Sequence, residues 1–159
     1  MSIQGKLSAD PLLWLATGFG AGRLPWAPGT LGTLVAVPLV LLLQPLPLWI
    51  YSVVTLGLVL AGIVICGKAA DRLGVHDHPS IVWDEIAGYL ITMLAVPPSA
   101  TALLSGFLLF RLFDISKPWP IRWLDHNISG GLGIMLDDVA AAIAANLMLQ
   151  ALIQVGWVV

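Results

Sequence analysis

The arrangement of the charged residues limits the fold more than any other feature of this chain, because it leaves three long uncharged stretches. Residues 24–67, 86–110 and 139–159 contain no Asp, Glu, Lys, Arg or His, and they are 44, 25 and 21 residues long. One helix that crosses a bilayer needs about 20 apolar residues. Only 10% of the chain is charged, against about 25% in soluble proteins. The sequence therefore predicts an all-α, polytopic membrane protein.

The first stretch is long enough to cross the bilayer twice. A polar, proline-rich segment at 44–47 marks the turn, so we predict helices near 31–43 and 48–67. Pro38 should kink the first of these helices, because proline removes one helical hydrogen bond. The last stretch, 139–159, fits one further crossing.

The middle stretch is interrupted by Pro97-Pro98. Proline inside a helix costs about 3 kcal/mol or more. We therefore predict two short arms, near 84–96 and 99–113, that form a hairpin dipping through or partway through the bilayer. A single continuous helix over the same residues is the alternative. In total the sequence predicts about five hydrophobic helices in one domain, 1–159.

The distribution of charge supports the hairpin. With the N-terminus inside, every basic residue falls in or beside an inside segment; these residues are Lys6, Arg23, Lys68, Arg72, Arg111, Lys117 and Arg122. The outside turns carry no charge, as the positive-inside rule requires. A continuous middle helix would move Lys117 and Arg122 to the other side. The acidic residues also gather on the inside face, which indicates a polar site at one membrane boundary.

Two pairs of adjacent carboxylates begin helices on this face, Asp84-Glu85 and Asp137-Asp138. Acids in a first turn commonly complement the helix dipole, which is the alternative interpretation of each pair. An uncompensated carboxylate at a bilayer boundary is costly, however. Mg²⁺ often binds one or two carboxylates together with a substrate phosphate. We therefore predict that these four residues form a site for a divalent cation, which the family resemblance given below implies is Mg²⁺.

Basic residues near the acids could bind a phosphoryl group. Arg111, Asp114 and Lys117 follow one another at intervals of three residues near a helix end, so they roughly share a face. Arg23 and Arg122 add positive charge. The alternative is that these residues anchor lipid head groups. The net charge of −2 argues against nucleic acid as a partner.

Two further segments allow a structural or a functional interpretation. The glycine-rich segment 18–33 would let backbone amides approach an anion, with Thr30 at the start of a helix. Alternatively, the segment is an entry loop with a helix cap. His76 and His78 could bind zinc, but no Cys or further His lies at the spacing of a zinc site.

Four segments together resemble the phosphatidylglycerophosphatase A family of bacterial membrane lipid phosphatases. They are GAGRLPWAPGTLGT (20–33), DHPSIVWDEIAG (77–88), FRLFDISKPWPIRWLD (110–125) and GGLGIMLDDVAA (130–141). The resemblance implies Mg²⁺-dependent hydrolysis of phosphatidylglycerophosphate to phosphatidylglycerol and phosphate, the last step in making that phospholipid. It also implies a multi-pass protein of the bacterial cytoplasmic (inner) membrane, with its active site on the cytoplasmic face.

On this interpretation we can assign roles to the polar residues. The predicted catalytic residues are Asp84, Glu85, Asp114, Lys117 and Asp138. The predicted substrate contacts are Arg23, Thr30, Arg111, Lys117 and Arg122. One acid would act as base toward water, and Asp114 would orient Lys117 or complete the metal shell.

The sequence leaves several alternatives open. It does not distinguish water from a carboxylate as the nucleophile, or one metal ion from two, and it does not fix the oligomeric state or the breadth of lipid specificity. The competing class of function is a non-enzymatic cation-binding membrane carrier or assembly protein. A carrier needs polar groups near the bilayer midplane, whereas these acids lie at one boundary.

Overall fold

The computed structural model describes residues 10–158, and over these residues it contains helices and no strand. We number the helices in chain order: α1 (Pro11–Ala16), α2 (Pro28–Leu43), α3 (Leu48–Leu73), α4 (Trp83–Thr92), α5 (Ala100–Ser116), α6 (Ile121–Asn127) and α7 (Gly130–Gln154). A 3₁₀ turn, Ala21–Arg23, lies between α1 and α2. The all-α prediction is confirmed. Lys6, which entered the orientation argument, lies outside the described residues.

Two of the seven helices are long and apolar enough to cross a membrane. They are α3, with 26 residues, and α7, with 25. Helix α2 is apolar but shorter, with 16 residues. Length and composition therefore support two crossings, and the predicted total of about five hydrophobic helices stays a prediction.

The Pro97-Pro98 pair lies in the connection between two separate helices, as predicted. Helix α4 ends at Thr92, and α5 begins at Ala100 after Ser99, whose Oγ accepts a hydrogen bond of 3.0 Å from the backbone N–H of Ala102. A serine at this position satisfies one of the free N–H groups of the first turn. With 10 residues, α4 is about 15 Å long at 1.5 Å per residue. The middle stretch is thus a hairpin and not a continuous helix.

Helix α4 lies at the centre of the bundle, in contact with α2, α3, α5 and α7. Its residues Tyr89 and Leu90 are fully buried. Gly88 allows a close approach to α5, because a Cβ atom there would lie only 2.6 Å from the ring of Phe110. Gly131 does the same between α7 and α3, where a Cβ atom would lie 1.9 Å from the carbonyl oxygen of Ile63. These contacts hold α4 against α5 and, at the end of the bundle where α7 begins, α7 against α3.

Candidate active site

Three carboxylates from two helices meet at this end of the bundle. Asp84 and Glu85 lie in the first turn of α4, and Asp138 lies in the third turn of α7. One oxygen from each carboxylate lies within 4.8 Å of the others. Asp84 and Asp138 are only 5% and 4% exposed. The structure thus brings together three of the four predicted metal ligands, which we call the acid cluster (Asp84, Glu85 and Asp138).

The acid cluster has unsatisfied oxygen atoms. Oδ1 of Asp84, Oε2 of Glu85 and Oδ2 of Asp138 are buried and have no hydrogen-bond partner among the described residues. A buried charged oxygen without a partner is costly. Three carboxylates at this spacing offer the ligands that a hard divalent cation prefers. The residues present therefore fit a divalent cation.

Arg111 and Asp114 of α5 border the acid cluster. Nη1 of Arg111 lies 2.6 Å from Oδ2 of Asp114 and 3.6 Å from Oε1 of Glu85. The carboxylate of Asp114 also lies beside that of Asp138. The side chains of Arg111 and Asp114 are 15% and 12% exposed. Arg111 thus places a guanidinium at the edge of the cluster, and Asp114 holds it there.

Asp137 faces Lys117 instead of the acid cluster. Nζ of Lys117 donates to Oδ2 of Asp137 at 2.5 Å and to Oδ1 of Asp125 at 2.6 Å. Burial opposes the charged form of Lys117, but its contacts with the two carboxylates outweigh burial and raise its pKa above the ordinary value. The ammonium therefore stays charged next to the cluster. Asp125 was not among the predicted site residues.

The backbone of Lys117 is in an unusual conformation. Its φ angle is 41°, in the left-handed region that residues other than glycine seldom adopt. Its N–H closes α5 by donating to the carbonyl of Phe113 at 2.9 Å. Such a conformation costs about 1–3 kcal/mol and persists only where the surroundings hold it. The two ion pairs of the side chain are such a constraint.

The start of α2 packs against the same site. A Cβ atom on Gly29 would lie 2.1 Å from Oε1 of Glu85 and 2.9 Å from Nη2 of Arg111. Only glycine leaves room here for this carboxylate and guanidinium. Thr30 follows in the first turn of α2 and is half-buried. The positive end of the α2 dipole therefore points toward the site.

The remaining predicted residues lie outside the acid cluster. Arg23 is the last residue of the 3₁₀ turn and is half-buried, whereas Arg122 is exposed on α6. His76 and His78 serve as hydrogen-bond acceptors. Nε2 of His76 accepts from the N–H of Gly130 at 2.9 Å, and Nδ1 of His78 accepts from the N–H of Ser80 at 3.1 Å. Within residues 10–158, no group of three potential metal ligands contains a histidine.

Sequence reasoning found the acid cluster and missed two of its neighbours. Asp125 closes the segment 110–125 that carried the family resemblance, and its separation of eight residues from Lys117 was the available signal. Gly29 lies in the glycine-rich segment, but its contact with Glu85 depends on how α2 packs on α4 and has no local signal.

Comparison with known proteins adds independent information. The family model of phosphatidylglycerophosphatase A matches residues 14–153. The phosphatidylglycerophosphatase A of Escherichia coli is 46% identical over 136 residues, which are 85% of this chain and 79% of that protein. Its counterpart in Haemophilus influenzae is 46% identical over 145 residues, 90% of this chain and 89% of that protein.

A Bacteroides thetaiotaomicron protein with a provisional phosphatidylinositol-3-phosphatase name is also similar. It is 35% identical over 153 residues, which are 91% of this chain and 93% of that protein. No solved structure matches the chain.

Proposed function

The chain belongs to the phosphatidylglycerophosphatase A family, and from that premise we propose that it hydrolyses phosphatidylglycerophosphate to phosphatidylglycerol and phosphate with Mg²⁺ as cofactor. The observation that carries the proposal is the acid cluster with its flanking cations, Arg111 and Lys117. The reaction would be the last step in the biosynthesis of an anionic phospholipid.

The acid cluster is the proposed metal site. Asp84, Glu85 and Asp138 would bind Mg²⁺, because their buried oxygens otherwise have no partner among the described residues. When bound, Mg²⁺ neutralises charge on phosphate oxygens and helps to orient a water molecule. We assign Oδ2 of Asp137 to Lys117, since it lies 2.5 Å from Nζ, and Asp137 does not belong to the group of three carboxylates, although its buried Oδ1 also has no hydrogen-bond partner among the described residues.

The cations at the site would bind the phosphoryl group. Lys117 and Arg111 stabilise the negative charge on its oxygens in the transition state. Asp114 holds Arg111 in place through the contact of 2.6 Å. One carboxylate of the acid cluster accepts a proton from the attacking water as the oxygen of that water bonds to phosphorus, and the proton passes to the glycerol oxygen as its bond to phosphorus breaks. Arg23 and Thr30, before and at the start of α2, would contact the terminal phosphate.

The proposed setting is the bacterial cytoplasmic membrane, with the site on the cytoplasmic face. Helix α3 exposes an apolar stripe at helical spacing that lipid would cover: Val53, Leu56, Leu60 and Val64, each more than half exposed. Tryptophans favour both membrane interfaces. Trp26, Trp119 and Trp123 are exposed near the acid-cluster end of the helices, and Trp49 and Trp157 near the other end. This pattern supports a multi-pass arrangement in which α4 penetrates only partway.

The test is phosphate release by the purified protein in detergent, with phosphatidylglycerophosphate as substrate. We expect release with Mg²⁺ and none after addition of a chelator. Asp84→Asn, Asp138→Asn and Lys117→Ala should each lose most of the rate while still folding. Asp71→Asn is the matched control, because Asp71 is exposed on α3 and lies outside the site. Near-normal rates in all three site variants would contradict the site assignment. A wild-type protein that releases no phosphate would contradict the function.

A further inference from the structure

An open cavity of about 490 Å³ lies beside the acid cluster. It is formed by the end of α5 and one face of α6, and its lining includes Lys117, Trp119, Arg122, Trp123, His126 and Asn127. Its volume falls in the range of small-molecule binding sites. Lys117 lines this cavity and also contacts Asp137 next to Asp138. The cavity and the proposed phosphoryl site therefore share Lys117.

The site is tightly packed at the start of α2. There, Gly29 leaves no space even for a methyl group beside Glu85 and Arg111. For a terminal phosphate between Arg111 and Lys117, the side of Lys117 offers space for the rest of the head group. The cavity along α6 is the space available on that side.

Arg122 offers a positive charge in this cavity. It is exposed, and within residues 10–158 it forms no salt bridge, whereas Lys117 contacts two carboxylates and Arg111 contacts Glu85 and Asp114. A guanidinium without an acidic partner is well suited to bind a phosphate oxygen pair. Its position four residues before His126 places both side chains on one face of α6.

Two tryptophans place the cavity at the depth of lipid head groups. Trp119, in the turn before α6, and Trp123, in α6, line the cavity together with Arg122 and are 84% and 54% exposed. Exposed tryptophans mark the boundary between acyl chains and water. Only Ile121 of α6 is buried. A lipid can therefore keep its acyl chains in the bilayer while its head group enters the cavity.

From these observations we infer that the α6 cavity binds the phosphodiester of the lipid head group through Arg122, while the terminal phosphate lies at the acid cluster. The inference rests on the proposed function and adds a basis for specificity. Phosphatidylglycerophosphate carries a phosphodiester and a terminal phosphomonoester, one for each site. Phosphatidic acid has a single phosphate and cannot occupy both sites.

Inhibition by each of the two reaction products tests the two proposed binding sites separately. Phosphatidylglycerol carries only the phosphodiester, and inorganic phosphate resembles only the monoester. For Arg122→Gln we expect a roughly 10- to 100-fold higher inhibition constant for short-chain phosphatidylglycerol, the scale of one lost charge-assisted contact. The inhibition constant for phosphate should be unchanged. The KM for phosphatidylglycerophosphate should rise, with little change in kcat.

Two further variants complete the experiment. Arg122→Lys should recover part of the affinity for phosphatidylglycerol. Arg72→Gln is the matched control, because Arg72 pairs with Asp10 and does not line the cavity, and it should behave as wild type. An unchanged inhibition constant for phosphatidylglycerol in Arg122→Gln would overturn the inference, as would an equal rise for both inhibitors. A wild-type protein without activity on phosphatidylglycerophosphate would instead overturn the proposed function, before any variant is compared.

Discussion

At the scale of single residues, the buried carboxylates of the acid cluster lower the stability of the fold unless a cation compensates their charge. Asp84 and Asp138 are almost completely buried and carry oxygens without a hydrogen-bond partner among the described residues. Such groups destabilise a fold unless a cation compensates them. On the proposed metal assignment, the cluster couples the stability of the protein to cation binding.

Asp138→Asn tests this coupling. The amide keeps the shape of the side chain and removes its charge, so phosphate release should fall by about 100-fold or more, since metal-assisted charge stabilisation contributes several kcal/mol. Without metal, the melting temperature should be equal to or above that of wild type. Mg²⁺ should raise the melting temperature of wild type, because a ligand that binds only the folded state stabilises it. A variant that keeps both the Mg²⁺ effect and the rate would contradict the metal assignment.

Gly29→Ala tests the geometry around Glu85. The new methyl group would displace the Glu85 carboxylate or the Arg111 guanidinium, both within 3 Å of the added Cβ. Misplacement by about 1 Å can cost up to 100-fold in rate, so we expect a loss of about 10- to 100-fold. The measurement is kcat/KM in detergent. Gly57→Ala is the matched control in α3, where an added Cβ meets nothing within 4 Å, and it should keep full activity.

The sequence predicted part of this site for a clear physical reason. Asp84-Glu85 and Asp137-Asp138 could be recognised because paired acids are rare in so apolar a chain. The residues that these acids contact could not be predicted from the sequence. Asp138 lies in the cluster while Asp137 contacts Lys117, whereas Asp84 and Glu85, which are also adjacent in a helix, both lie in the cluster; how many acids of a pair join the cluster depends on how the helices pack. Asp125 comes from a separate short helix, and its contact depends on tertiary packing.

At the scale of elements, the main problem for the fold is that α4 ends inside the bundle. Its last carbonyl groups need partners, because unsatisfied backbone groups are expensive away from water. Asn146 of α7 supplies two hydrogen bonds, with Nδ2 donating to the carbonyls of Thr92 at 2.8 Å and Leu94 at 2.9 Å. Nε2 of Gln44 donates to the carbonyl of Val96 at 2.8 Å. Polar side chains from neighbouring helices thus cap the hairpin.

Asn146→Leu should therefore destabilise the protein by roughly 1–3 kcal/mol, the cost of leaving buried acceptors without donors. A denaturant titration of the protein in detergent measures this change in the free energy of unfolding. Activity per folded molecule should persist, because Asn146 lies near the end of α4 opposite to the acids. Gln150→Leu is the control, since Gln150 donates only to Oδ1 of Asn146 and its loss leaves the carbonyls bonded. Equal stability of the two variants would contradict this role of Asn146.

The sequence predicted the helices better than their ends. Hydropathy marks where a bilayer could lie and not where a helix begins. Helix α7 starts at Gly130, nine residues before the uncharged stretch at 139, because the turns that carry Asp137 and Asp138 are helical but polar. Helix α4 ends at Thr92 instead of near 96. The Pro97-Pro98 pair correctly indicated the break, but the side chains that end α4 come from other helices.

At the scale of the whole molecule, the hairpin determines whether one active site can exist. Helix α4 enters the bundle and α5 returns, so the first turn of α4 and the last turn of α5 lie at the same end. The contact between Arg111 and Glu85 joins these two ends directly. A continuous helix would separate them by its full length. The hairpin and the orientation predicted from the basic residues therefore agree, because both place residues 84–85 and 111–117 at the same end of the molecule.

Cysteine accessibility tests that arrangement in membranes. In a Cys66→Ala background, Leu46→Cys lies in the turn between α2 and α3, and Ser129→Cys lies just before α7; both positions are exposed. In spheroplasts, a membrane-impermeant maleimide should label position 46 at once. Position 129 should react only after the membrane is permeabilised, because the positive-inside rule places 114–138 in the cytoplasm. The Cys66→Ala parent should stay unlabelled. Labelling of both positions in intact spheroplasts would place the two acid pairs on opposite sides of the membrane and exclude a shared metal site, whereas labelling of position 129 alone would contradict the proposed cytoplasmic orientation.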